Sequence, residues 1–415
     1  MNITRISGVS CFPVYALRHT GYRDLMPAFD RLDPLSLDEL LTPEEIAVRS
    51  SVRTMLTQRI QPHVAQWFED GGAPSPRELF KEFGSLGLLG MHLEGYTLPG
   101  MSSVDYGLAC VELEACDSGI RSMVSVQGSL AMFAIWRWAS EEEKQRWLPG
   151  MGAGDLVGCF GLTEADHGSD PGHMRTTARR DGSDWILDGG KMWISNGTFA
   201  DVAVVWAQTD EGIRGFAVPT DTPGFSAREI KHKMSLRASS TAELVLEGVR
   251  LPAGAAFPEV RGLKGPLSCL TEARYGIVWG SMGAARSSYE SALDYARTRE
   301  QFGRPIGGFQ LTQAKLADMC LELHKGLLLA LHLGRRKDSV GLSNEQVSFG
   351  KLNNVREALE ICRTSRTILG ANGISLEYPV IRHMNNLESV LTYEGTVEMH
   401  TLILGQALTG ESAFS

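Results

Sequence analysis

The sequence predicts a mainly α-helical fold with a central antiparallel β-domain, and three observations predict it. Helix-start signatures recur before about residue 156, and short apolar runs between D-G-type turns occupy about 157–252. After about Gly262 long helical patterns return, with few glycines or prolines to interrupt them. The 415 residues are 43% hydrophobic and 21% charged, ordinary globular composition and enough chain for two or three packed units.

In the first block, Thr42-Pro43-Glu44-Glu45 places an N-cap, a proline at N1 and a glutamate at N3. Ser140-Glu141-Glu142-Glu143 is a second capping box, opening a helix toward Trp147. Glycines 84, 87, 90 and 95 punctuate the helix joins. In the second block, Trp185-Ile186-Leu187, Ala203-Val204-Val205-Trp206 and Leu244-Val245-Leu246 read as strands, with turns at Asp181-Gly182, Asp188-Gly189-Gly190 and Glu211-Gly212. In the third, helices are expected near 266–300, 308–336, 344–370 and 375–410, packed as a bundle. The expected division is an extension over 1–28, a helical domain over 29–156, a β-domain over 157–262 and a helical bundle over 263–415.

Net charge is −9 with a pI near 5.7, and no basic stripe stands out, so nucleic acid is not an expected partner. Seven scattered cysteines form no C-x-x-C pair and no zinc-spaced cluster with histidine, so no metal site is expected and the thiols read as those of a reduced, intracellular protein. No apolar run approaches the ~20 residues of a transmembrane helix. Residues 1–23 lack acids, a transit-peptide-like composition, but their poor amphipathic periodicity reads better as a disordered or over-long start. The expected location is cytoplasmic if the source is bacterial, with the mitochondrial matrix as the alternative.

Several segments carry chemistry. The run from Cys159 to Asp170, CFGLTEADHGSD, passes from a strand into a turn rich in hydroxyls and acids, suited to a ligand with many hydrogen-bonding groups, or simply to a capped turn. Trp193, with Ser195 and Asn196, would hold a flat heteroaromatic ring, or Trp193 is a β-domain core residue. Arg121 would bind a carboxylate bidentately, or pair at the surface with Asp117 four residues back. Glu394, in Tyr393-Glu394-Gly395-Thr396 among apolar helical sequence, would have the raised pKa of a general base, or merely end a helix. Arg297 to Gly303 would bind phosphate or complement a helix dipole.

Taken in order, FGLTEADHGSD, WISNG, RTREQFG, LGANGI and YEGT resemble the acyl-CoA dehydrogenase family from about residue 29 onward. Within it, DSGIRS, KMSLRASS, ARYGIVWG and the C-terminal YEGT…LILGQALTG are similar to the glutaryl-CoA dehydrogenase branch, which acts in lysine and tryptophan catabolism. The resemblance implies an acyl-CoA dehydrogenase fold: an N-terminal helical domain, a β-domain and a C-terminal four-helix bundle, assembled as a homotetramer. It implies FAD, with Phe160, Leu162, Thr163, Trp193, Ile194 and Ser195 at the flavin ring, Ser169 beside flavin and acyl-CoA, and Thr396 a further contact. Arg299, Phe302, Gln310, Leu369, Gly370 and Ala371 match pyrophosphate and adenosine contacts reached across a subunit interface. Glu394 matches the catalytic base; the position before Arg274 that carries the base in some relatives is Ala273, which takes no proton.

Carried over in the same way, Arg121 clamps the substrate's distal carboxylate, helped by Ser122, with Glu114 and Tyr393 around it and Ser125, Arg274 and Gly395 at the acyl-CoA. Glu114 and Tyr393 together imply the decarboxylating form, producing crotonyl-CoA and CO2 and passing electrons to an electron-transfer flavoprotein. Departures are Ser195 for the commoner threonine, Ala371 for glycine, Thr367 for glutamine, and Ala165-Asp166-His167 for a proline-containing stretch. The competing readings are an acyl-CoA or acyl-carrier-protein dehydrogenase of other chain specificity, an oxidase on the same scaffold, and a non-catalytic scaffold protein.

Overall fold

The computed structural model describes residues 29–413, so the expected extension over 1–28 lies outside the described residues. The chain divides into two units, Met1–Leu40 and Leu41–Ser415. In the first, a 3-10 turn at Leu37–Leu40 is started by the Asp33 carboxylate, which accepts the Leu37 N–H at 2.7 Å.

The second unit opens with α1 (Pro43–Arg59), whose capping box at Thr42 and Glu45 is complete. Next come α2 (Val64–Asp70), α3 (Pro76–Ser85), a short hairpin of β1 (Glu94–Gly95) and β2 (Leu98–Pro99), and α4 (Ser103–Cys116). α5 (Ser118–Ser125) is capped by Asp117 and continues through a π-helical turn, Val126–Met132, into α6 (Phe133–Trp138) and α7 (Glu141–Ala153). Ser140 caps α7, but the reciprocal half of the expected box is missing. The Glu143 carboxylate instead accepts the Trp147 indole N–H at 2.6 Å, one turn along its own helix.

The sheet follows: β3 (Gly158–Gly161), β4 (Thr177–Asp181), β5 (Asp184–Ser195), β6 (Val202–Thr209), β7 (Gly212–Pro219), β8 (Phe225–Glu229) and β9 (Thr241–Leu251). Most pairs are antiparallel (β4–β5, β5–β9, β8–β9, β6–β7), but β3 runs parallel to β6, and one parallel bridge, Thr177 to Gln208, joins β4 to β6. Asp188-Gly189-Gly190 is no turn. It lies inside β5, where Gly189 at φ 144° absorbs a register shift against β9.

The long α8 (Lys264–Thr298) leads through the hairpin β10 (Glu300–Gln301) and β11 (Arg304–Pro305) to α9 (Gln310–Val340) and α10 (Asn344–Leu369). The helix expected over 375–410 is two, α11 (Val380–Thr392) and α12 (Val397–Thr409). The break falls at Tyr393-Glu394-Gly395-Thr396, where Glu394 at φ 52° and Gly395 at φ 103° leave helical backbone and Thr396 caps α12. No described helix is long and apolar enough to cross a membrane.

α1, α4 and α8 are tied by Glu112, whose carboxylate accepts from Arg286 at 2.7 Å and from Arg53 at 2.8 Å. Burial pushes its pKa up, but the two guanidinium groups outweigh burial and bring it down to about 2. A folded-state pKa below the unfolded value means this stabilisation is present above the unfolded pKa and is lost as pH falls through the folded one. Arg286→Met should therefore lower stability at pH 7, by less than the ~3–5 kcal/mol of an uncompensated buried charge because Arg53 still pairs with Glu112, with the gap to wild type narrowing as pH drops below the unfolded carboxyl range. Urea midpoints followed from pH 7 down to about pH 3, through the range between the unfolded and folded carboxyl pKa values, measure it; a gap that does not narrow below the unfolded carboxyl range would reject the ionic origin.

Candidate active site

A cavity of about 1130 Å³ lies where β3, β5 and the loop before β9 face α8, the start of α10 and α12. A pocket for one small ligand measures ~300–1,000 Å³, so this one lies just above that range and has room for a large, extended ligand.

On the sheet side, Phe160, Leu162 and Thr163 line the cavity, followed by Gly168 and the exposed Ser169. The turn between them is more than a capped strand end. Buried Glu164 accepts N–H groups from Arg175 at 2.6 Å and Thr176 at 2.9 Å, and pairs with Lys191 at 2.8 Å; Lys191 also reaches the Leu162 carbonyl at 3.1 Å. Trp193 is not a core residue. A second register shift in β5, between Lys191 and Ile194, sets Trp193 at φ 64° and leaves it 59% exposed on the cavity wall, between Ile194 and Ser195. A bulge is a common device for re-aiming a side chain beside a site.

At the opposite wall the 393–396 break places Tyr393, Glu394, Gly395 and Thr396 on the cavity. Glu394 Oε2 is shut from solvent with no hydrogen-bond partner. Burial pushes the Glu394 pKa up; Arg121, Lys351 and Arg274 pull it down, and the net shift is upward. A non-glycine residue in left-handed backbone costs about 1–3 kcal/mol and persists only where its surroundings fix it. Here they do: Arg274 Nε donates to the Glu394 carbonyl at 2.6 Å, and Lys351 Nζ donates to the Tyr393 and Gly395 carbonyls at 2.8 and 2.7 Å. Gly395 is required twice over, by its φ and because a Cβ would come within 2.8 Å of His400 Nε2.

Arg121 is 1% exposed and does not pair with Asp117. Its Nε donates to Glu114 at 2.8 Å, its Nη2 reaches the Tyr393 hydroxyl, and its guanidinium lies 5.7 Å from the Tyr393 ring centre. Asp117 instead caps α5 and holds Arg382 and Asn386, the latter at 2.9 Å. Ser122 lines the cavity; Arg121, Glu114 and Ser125 sit buried behind it.

The structure thus gathers most of the expected residues at one cavity. Arg299, Phe302, Gln310, Gly370 and Ala371 are exposed and Leu369 is buried, and none of these six lines that cavity. Two features escaped the sequence reading. One is Lys351, on the buried stripe Val347, Lys351, Asn354 and Ala358 of α10; a lysine at a core position of a 3.6-residue pattern was the available signal. The other is the support of the KMSLRASS loop, which lines the cavity through Lys233, Ser235 and Leu236 and is anchored by Asn386 Oδ1 on the Leu236 N–H at 2.7 Å.

Family models for the N-terminal, middle and C-terminal domains of acyl-CoA dehydrogenases match residues 42–155, 159–249 and 260–409. This chain belongs to the acyl-CoA dehydrogenase family. A crystal structure of glutaryl-CoA dehydrogenase from Mycobacterium smegmatis is 67% identical, with TM-score 0.91, covering 92% of this chain and 99% of that one. A second, of a glutaryl-CoA dehydrogenase from the same organism in complex with FADH2, is 61% identical with TM-score 0.92 over 94% and 100%. The mitochondrial short-chain specific acyl-CoA dehydrogenase of Bos taurus is 34% identical over 86% of this chain and 88% of its own.

In this acyl-CoA dehydrogenase the Glu114–Arg121 pair fits only because residue 280 has no side chain: a Cβ there would lie 2.2 Å from Glu114 Oε2 and 3.4 Å from Arg121 Nε. Gly280→Ala should destabilise the protein by about 1–3 kcal/mol through overpacking, read as a lower denaturation midpoint. Undiminished stability would mean the pair has slack.

Proposed function

We propose that this acyl-CoA dehydrogenase is an FAD-dependent enzyme that oxidises glutaryl-CoA and decarboxylates the product to crotonyl-CoA and CO2, with Glu394 as base and an electron-transfer flavoprotein as acceptor. The observation that carries the reading is the buried, unpartnered Glu394 carboxyl on the cavity, with the Glu114–Arg121–Tyr393 cluster directly behind.

The residues fit the cofactor. The cavity is large, Trp193 presents an uncovered indole to it, and Thr163, Ser169 and Ser195 add hydroxyls around that surface. Trp193, Ile194, Ser195, Phe160, Leu162 and Thr163 would hold FAD, with Thr396 on the facing wall. FAD, when bound, supplies the acceptor for the hydride leaving the β-carbon. Arg299, Phe302, Gln310, Gly370 and Ala371, exposed and outside the cavity, suit contacts with the cofactor of a second copy in a homotetramer.

Glu394 removes the α-proton. Burial keeps its carboxylate poorly solvated and correspondingly basic, and the nearby cations keep enough of it ionised to act. A backbone N–H at Glu394, aimed at the thioester oxygen, would stabilise the developing enolate, an effect worth ~3–4 kcal/mol for one well-placed donor. With a glutaryl chain the resulting enoyl thioester carries a carboxylate whose loss as CO2 leaves a delocalised dienolate; Glu394 then returns its proton to the far carbon, giving crotonyl-CoA. Arg121 has to attract the distal carboxylate without holding it too tightly for CO2 to leave. Its charge is already shared with Glu114 and Tyr393, which suits both demands.

One observation favours a second reading. Arg121 is satisfied by protein groups and lies behind the cavity wall, as it would in a dehydrogenase of short acyl chains where it serves only structure. An anaerobic screen of acyl-CoA substrates, following flavin bleaching and product mass, separates the two: the glutaryl reading requires bleaching by glutaryl-CoA and a product lighter by CO2. Glu394→Gln should retain FAD and abolish bleaching by every acyl-CoA; residual turnover would move the base elsewhere. Arg121→Ala should slow glutaryl-CoA far more than butyryl-CoA, whereas equal losses measured as kcat/KM would leave Arg121 a structural residue.

A further inference from the structure

We infer that Lys351, with Arg274, is a positioning residue for Glu394: two buried cations fix the three successive carbonyls around the base and thereby set its backbone and its charge. The inference deepens the proposed function and rests on Glu394 being the base.

The geometry is specific. The carbonyls of Tyr393, Glu394 and Gly395 mark the three peptide planes that flank Glu394 and Gly395, and planes so fixed determine φ and ψ at both residues. Lys351 Nζ binds the first and third at 2.8 and 2.7 Å, and Arg274 Nε binds the second at 2.6 Å. The two cations come from different helices, α10 and α8, and are 2% and 8% exposed. A flexible surface lysine would contribute nothing measurable, but one buried on a packed stripe has its position set by the helix. The break between α11 and α12 therefore owes its conformation to the helices beneath it.

Lys351 also acts through charge. The charged groups facing Glu394 are Arg121 from α5, Glu114 from α4, Arg274 from α8 and Lys351 from α10. His400 of α12, beside Gly395, is kept neutral near pH 7 because burial, with Lys351 and Arg274 next, pushes its pKa down to about 3. Burial pushes the Lys351 pKa down more than Glu394 pulls it up, to about 7, so Lys351 carries its charge on the acidic side of that pH, where the limb is read. Since its ammonium lowers the Glu394 pKa, removing that charge must raise it. The carboxylate form needed for proton abstraction then appears only at higher pH.

The test compares holoenzymes of Lys351→Met, Lys351→Gln and Lys351→Arg with wild type and with Glu394→Gln. In Lys351→Met, anaerobic flavin reduction should slow about 100-fold, the loss typical of a misplaced catalytic group, and its acidic pH limb should move upward. Hydrogen exchange across residues 393–396 should quicken. Lys351→Arg should leave the limb near its wild-type position. Should Lys351→Met fail to fold with FAD, Lys351→Gln, which keeps amide donors but no charge, must still shift the limb. An unmoved limb with unchanged exchange in the folded variants overturns the inference, even where the rate falls. Glu394→Gln distinguishes the two levels: if it still bleaches, the base assignment falls and the positioning role with it; if it is inert while the Lys351 variants behave as wild type, only the positioning role falls.

Discussion

Removing the Glu394 carboxyl from water is the constraint on which the rest of the site depends. Burial alone would leave it protonated and useless as a base, because an isolated buried carboxylate is heavily disfavoured. Arg121, Lys351 and Arg274 oppose that tendency, and Glu114 moderates Arg121. Two unit charges 4 Å apart interact by about 4 kcal/mol at an effective dielectric constant of 20. Several opposed terms of that order balance only if their distances are held closely, and that explains why the charged groups come from packed helices rather than loops.

Burying so many charges between helices requires room at the backbone. On α8, Gly276, Gly280 and Gly283 lie along one face toward α4, where added Cβ atoms would meet Tyr106 Oη at 2.8 Å, Glu114 Oε2 at 2.2 Å and the Val111 carbonyl at 2.0 Å. Close helix approach at the two outer positions leaves a slot at the middle one, and the Glu114 carboxylate fills it. The ion pair is thus a consequence of how α8 and α4 pack. Glu112, two residues earlier and on the other side of α4, fastens α4 to α8 through Arg286 and to α1 through Arg53.

Much of this was legible in the sequence, and the exceptions have physical causes. The Thr42 capping box and the Glu211-Gly212 turn announce themselves through local chemistry, and local chemistry is what a sequence displays. The helix break at Tyr-Glu-Gly-Thr does not, because the carbonyls of Tyr393, Glu394 and Gly395 are held by Arg274 and Lys351, which are distant in sequence. The parallel pairing of β3 with β6 is a non-local event, invisible from alternation alone. Asp188-Gly189-Gly190 carries the composition of a turn, yet in the sheet the glycine absorbs a register shift instead. Arg121 has an acid four residues back, but Asp117 is taken by the α5 N-terminus and by Arg382, and the true partner, Glu114, comes from the preceding helix. Lys351 was hidden because an isolated lysine within a helical pattern usually faces water.

Where the local rules are broken, the cavity is near. Trp193, Leu236 and Glu394 all line it and all hold positive φ without being glycine. Others, such as Tyr96 and Thr97 between β1 and β2, or Phe302 between β10 and β11, sit in hairpin turns that ask for that conformation. Each strained cavity residue has its own support. β9 and the Lys191–Glu164 pair flank the Trp193 bulge, Asn386 of α11 holds Leu236, and α8 with α10 hold Glu394. The sheet therefore fixes the indole surface and the helices fix the carboxyl, so neither part presents the site alone. A chain in which helices precede and follow a sheet is one solution to that demand: the reactive cleft forms only where the two are folded against each other, and strain at its walls is tolerated because both sides are rigid.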